Sequence, residues 1–168
     1  MDQLAQAILE SWDRQTRIFM NLAGLVDETN RSAKPAPEGW SIDEHLAHVH
    51  SCRRGWLAAI SPESIKSFGR SYEQIDEETW VPIKDLDEIK RQLNLSGAAI
   101  RTYMEEAIEA GTTRVAPYDH PIFFLQHMLW HDGYHFGLIV LALRNAGIEP
   151  TEEWEERNVW GIWRDPEI

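Results

Sequence analysis

Apolar residues return every three or four positions in four separate stretches, the spacing of a buried helical face. From Asp2 to about Glu28 they are Leu4, Ile8, Trp12, Phe19, Leu22 and Val26, with Gln15 filling one place. Pro35 and Pro37 rule out a helix through Asn30–Gly39. Ser41-Ile42-Asp43-Glu44 then forms a capping box, with Trp40 one residue before it. The helix it opens runs to about Ile60, with Ile42, Leu46, Val49, Trp56, Leu57 and Ile60 on its apolar face. Asp85-Leu86-Asp87-Glu88 opens a third helix, to about Ala110, marked by Leu86, Ile89, Leu93, Ile100, Met104 and Ile108. A fourth has Pro121 in its first turn and Gly147 just past its end. Its central part, Leu125–Arg144, is apolar nearly all round, which predicts cover on several sides.

Two stretches stand outside this pattern. Ser61–Lys84 is polar and acidic, with Phe68, Tyr72, Ile75 and Trp80 scattered through it. A segment of that length inside a compact domain is expected to be functional or partly helical, for example a lid over one end of the helices. Glu149–Ile168 is an acidic tail carrying Trp154, Trp160 and Trp163, and three indoles predict that it packs back on the helices or on a partner. Four long amphipathic helices with no convincing strand predict an all-α fold, a four-helix bundle formed as one domain over residues 1–168.

Charge narrows the partners. Sixteen basic against 28 acidic residues leave a net charge of −12, which argues against nucleic acid and anionic membrane. No apolar run approaches the roughly 20 residues that span a bilayer, and the first residues lack the basic-then-apolar order of a signal peptide. A single cysteine, Cys52, suits a reducing cytoplasm. It reads as a small packing residue rather than a nucleophile.

The candidate chemistry lies in the seven histidines, which fall in two clusters on the second and fourth helices. His127, His131 and His135 are spaced four apart and form a column, which His120 joins if the helix starts early enough. A pair at i and i+4 lets one helix give two imidazoles to one ion. His131 and His135, with one histidine from the second helix, would make a three-histidine site with a coordination position left open, the arrangement of a catalytic metal. On the second helix His45 and His48 share a shoulder of the apolar face with Cys52, while His50 falls elsewhere, and the helical wheel slightly favours His45. Zinc or nickel are the first expectations for the ion, with iron or cobalt as alternatives. His45, His127, Asp132 and Tyr134 are the nearby groups able to orient a ligand or move a proton.

Trp40-Ser41-Ile42-Asp43-Glu44 followed by His48, and His131-x-x-x-His135-x-Gly137 followed by Leu143-Arg144-x-x-Gly147, resemble the DinB-like superfamily. These are metal-binding four-helix bundles that include bacterial thiol-dependent S-transferases. The resemblance implies His48, His131 and His135 as metal ligands, a small-molecule substrate such as a low-molecular-weight thiol, and a homodimer. Many relatives carry Arg and Gln where Phe136 and Leu138 stand here, and Phe136 on the helix back fits a dimer interface. The expectation is a metal-dependent transferase or hydrolase. The alternatives are a non-catalytic metal-binding or stress-response protein, and a metal-free helical dimer whose histidines line a polar seam.

Overall fold

In a computed structural model that describes residues 2–164, four long helices share one core: α1 (Gln3–Ala23), α2 (Ile42–Ile60), α3 (Leu86–Glu109) and α4 (Pro121–Asn145). A two-stranded hairpin, β1 (Tyr72–Gln74) with β2 (Trp80–Pro82), lies between α2 and α3, and a short helix α5 (Glu152–Glu155) follows α4.

The caps at Ser41 and Asp85 act where the sequence places them, and Asp2 adds one at the start of α1. Asp2 accepts from the Ala5 amide at 2.8 Å, and Asp85 from the Glu88 amide at 2.9 Å. The box at Ser41 is present, with Glu44 accepting from the Ser41 amide at 2.6 Å. Gly147, at φ +77°, takes the left-handed conformation that follows the fourth helix.

Three boundaries and faces differ from expectation. α1 stops at Ala23 rather than near Glu28. The chain turns there, and Asn30 fixes the turn by accepting from the Asp27 amide and donating to the Leu25 carbonyl. Leu4 is exposed, and Leu9 and Ile18 take inward places that strict spacing from Leu4 would miss. Ser61–Lys84 contains strands after all: Tyr72 pairs with Pro82 and Gln74 with Trp80, antiparallel. This hairpin is pinned to α2, with Ser71 Oγ donating to the Ala47 carbonyl at 2.8 Å and Tyr72 OH to the Glu44 carbonyl at 3.0 Å.

The core has two apolar ends. Phe19, Leu22, Leu46, Val49, Leu93 and Ile139 belong to one, and Trp12, Leu57, Ile100, Met104, Phe124 and Met128 to the other. Between them each helix contributes polar or small residues: Thr16, Arg53, Ser96 with Gly97, and Asp132. Gly97 is where α1 and α3 come close, since a Cβ there would meet Thr16 Cγ2 at 2.7 Å.

After α4 the chain returns along α1. Asn21 donates to the Asn158 carbonyl and Arg14 to the Trp163 carbonyl, both at 3.0 Å, and Val159 is buried. Trp160 and Trp163 stay largely exposed. The last four residues of the expected tail lie outside the described residues, as does Met1.

Candidate metal centre

The capping box fixes where α2 begins, so His45 and His48 stand in its first two turns. There they face α4 across from His131 and His135. The ring centroids of His48 lie 5.2 Å from those of His131 and 4.9 Å from those of His135, while His131 and His135 are 4.6 Å apart. One ligating atom from each of His48, His131 and His135 lies within 4.8 Å of the others.

The donor set fits a divalent cation. His48 Nε2 and His131 Nε2 are 3.2 Å apart. Two nitrogens at about 2.0–2.1 Å from one tetrahedral zinc stand about 3.3–3.4 Å apart. His135 turns its Nδ1 to His45 Nδ1 at 2.9 Å, which leaves Nε2 as its ligating atom. His45 is therefore a neighbour that orients His135, and it is 3% exposed with no partner for its own Nε2 among the described residues.

Electrostatics divides the four rings. Burial pushes His45, His48 and His135 below the usual imidazole range, and the neighbouring rings of His131, His48 and His45 take His135 down to about 3. These three present lone pairs at neutral pH. Burial also works against a charge on His131, but the Asp132 carboxylate and the Cys52 thiol outweigh it and hold the ring up at about 9. Asp132 Oδ1 stands 3.7 Å from His131 Nδ1, beyond hydrogen-bond length, so it acts on the ring as a charge through space. Asp132 is itself fully buried and bound by Arg53, whose Nη2 donates to its Oδ2 at 2.5 Å.

Other expected residues separate. His127 turns away to the Tyr118 hydroxyl, 2.8 Å from its Nδ1, and to the edge of Trp56. His120 is not on the column, because it is the extended residue that caps α4, accepting from the Ile122 amide at 3.1 Å. Cys52 packs half-buried in the core end that contains Trp12. Phe136 packs partly buried on the helix's own core rather than standing free on its back. The exposed apolar residues of α4 are instead Phe123, Trp130, Tyr134 and Leu141.

A cavity of about 600 Å³ opens over the rings, walled by Trp40, Tyr134, Leu138, Leu141 and the Pro35-Ala36 turn. Asn145 holds that turn by donating to the Lys34 and Pro35 carbonyls. Trp40, expected only to pack on the first turn of α2, stands at the site. Its ring lies 4.9 Å from His48 and parallel to His135 at 6.2 Å. The signal was present in its position one residue before the cap of a helix that carries ligands in its first two turns. None of the tail tryptophans lines this cavity, and neither does the hairpin.

A mostly helical chain with three histidines gathered from two helices defines a class of metal-binding helical protein. The model of the DinB family matches residues 1–162, and the chain belongs to that family, part of the DinB-like superfamily. No curated protein matches the chain, and no solved structure does. Among the described residues no helix is long and apolar enough to cross a membrane.

Proposed function

We propose that this protein is a four-helix bundle of DinB type that binds a divalent cation through His48, His131 and His135 and acts on a small molecule. The observation that carries this reading is the meeting of three imidazoles at the floor of an open cavity of about 600 Å³. A divalent ion held by neutral imidazoles keeps its charge and lowers the pKa of a thiol or water toward neutrality. Around it the chain's own residues divide the work. His45 fixes the ring of His135, and Asp132, anchored by Arg53, faces His131. Trp40, Leu138 and Leu141 give substrate an apolar wall, and Tyr134 brings a hydroxyl to the rim. That wall favours a substrate with an apolar body, a low-molecular-weight thiol in an S-transferase or the substrate of a hydrolase. Zinc or nickel is the ion first expected, with iron or cobalt next.

The exposed stripe of Trp130, Tyr134 and Leu141, with Gly133 and Gly137 leaving the backbone bare between them, supports a homodimer through α4. The charge of −12 and the single cysteine support a cytoplasmic protein without nucleic-acid or membrane partners. A non-catalytic metal-binding role is the second reading, but the described part of the tail does not line the cavity, which favours an enzyme. In a metal-free third reading the 3.2 Å approach of His48 to His131 is a direct hydrogen bond. Elemental analysis of protein purified without chelator separates them. The proposal expects close to one equivalent of a transition metal, and less than half of that in His131→Ala. Absence of metal from the wild-type protein would leave only the polar seam.

A further inference from the structure

Between the hairpin and α2 lies a second cavity, of about 410 Å³, and none of the residues lining it lines the cavity over the three histidines. Its charge runs against that of the molecule. Arg54 and Arg70 line it, and no carboxylate does, in a chain of net charge −12. Both arginines are exposed, and neither has an ion-pair partner among the described residues. The two guanidinium groups are the charged groups in its wall.

His50 forms part of the wall and is fully buried. Its Nε2 faces the Gly69 carbonyl at 3.3 Å and donates there, which leaves Nδ1 as an acceptor, and Nδ1 has no partner among the described residues. The ring of Trp80 is half exposed on β2 and offers a flat face at the same cavity. The remaining walls are held firm, because the hydroxyls of Ser71 and Tyr72 are already spent tying the hairpin to α2.

We propose that this cavity binds a small phosphate monoester that carries a flat ring, of which a nucleoside monophosphate is the accessible example. Arg54 and Arg70 take the phosphate, since paired guanidinium forks match its oxygens. The ring stacks on Trp80. The site is independent of any metal, and its test does not depend on the metal centre.

The experiment is calorimetric titration of the full chain with adenosine monophosphate, inorganic phosphate and adenosine. The wild-type protein should bind the monophosphate more tightly than either part. The double variant Arg54→Gln/Arg70→Gln should weaken it by at least about tenfold. Trp80→Leu should weaken the monophosphate by about tenfold and leave inorganic phosphate unchanged. Circular dichroism should show all helices kept, because these side chains are exposed. No binding at millimolar monophosphate would overturn the proposal, and so would an affinity that the double arginine variant leaves intact. Equal loss of inorganic phosphate binding in Trp80→Leu would remove the stacking role and with it the ring-bearing ligand.

Discussion

Two polar groups lie in the interior of this protein, a few residues apart on the same two helices, and they are built in opposite ways. Arg53 and Asp132 are 1% and 0% exposed at the side chain. Every strong demand there is met: Asp132 accepts from Nε and Nη2, Nη1 donates to the Leu93 carbonyl, and Trp12 and Phe19 lie against the guanidinium. The histidines one turn away are unfinished: the Nε2 atoms of His48 and His131 face only each other at 3.2 Å, and His45 Nε2 and His131 Nδ1 are buried and unpartnered among the described residues. A saturated buried pair is architecture, because nothing can be added to it. A buried cluster with spare nitrogens beside an open cavity is a place that awaits something.

If that contrast holds, the largest effect comes from breaking the saturated pair. Asp132→Ala leaves a buried guanidinium without its counter-charge and should cost about 3–5 kcal/mol in chemical denaturation. Arg53→Met/Asp132→Leu removes both charges and should recover most of that loss. A double variant as unstable as the single one would mean that the pair is not what holds this level of the core together.

The second effect should come from the unfinished cluster, and only when metal is supplied. A cation that binds the folded state alone stabilises it by about 2.7 kcal/mol at a hundredfold excess over Kd. Thermal unfolding of chelated protein should therefore shift upward on adding zinc or nickel, and His131→Ala should abolish that shift while keeping a cooperative transition. A chelated variant that collapses like Asp132→Ala would make His131 a structural residue instead.

The same contrast explains what could be read from the sequence. Four helices were legible because their inward residues repeat over 19 or more positions and their caps are explicit. The hairpin was not, because three-residue strands are too short to show alternation. Arg53 was missed although it falls on the line of Leu46, Val49 and Leu57, inside an apolar face. Its partner lies 79 residues away, and no local pattern announces such a pairing. Asp132 was named only as a neighbour of the ligands. Within α4, an apolar surface all round hides which side faces in. Each step of four residues also turns the column by about 40°, so His127 sits about 80° from His135. That drift is what sends His127 to Tyr118 and Trp56 while His131 and His135 meet α2.

Titration gives a sharper comparison, because His131 should respond in opposite senses with and without metal. Its pKa is raised from 6.5 to about 9 in the metal-free fold, so at pH 7 it carries a proton that a cation must displace. Apparent metal affinity should rise about tenfold per pH unit between 6.5 and 9, with one proton released per ion at pH 7. In chelated protein the sign reverses: a raised folded pKa stabilises below 6.5, and that contribution is lost as pH rises toward 9. Calorimetry in buffers of different ionisation enthalpy reads the proton. A metal affinity flat across this window would show that His131 is already neutral and that Asp132 exerts no pull on it.

The smallest differences discriminate between two histidines that the sequence treats alike. His45 touches His135 nitrogen to nitrogen, and a group that orients a ligand is worth about 10–100-fold in metal affinity. His127 is satisfied by Tyr118 and does not line the cavity over the rings. Competition titration against a chromogenic chelator should therefore find His45→Ala weakened by at least about tenfold. It should find His127→Phe within about twofold of wild type, a free-energy change of roughly 0.4 kcal/mol. If the two variants lose equally, affinity depends on the packing of the whole helix pair rather than on one nitrogen contact. The distinction between a finished and an unfinished interior would then fail at the point where it is drawn most finely.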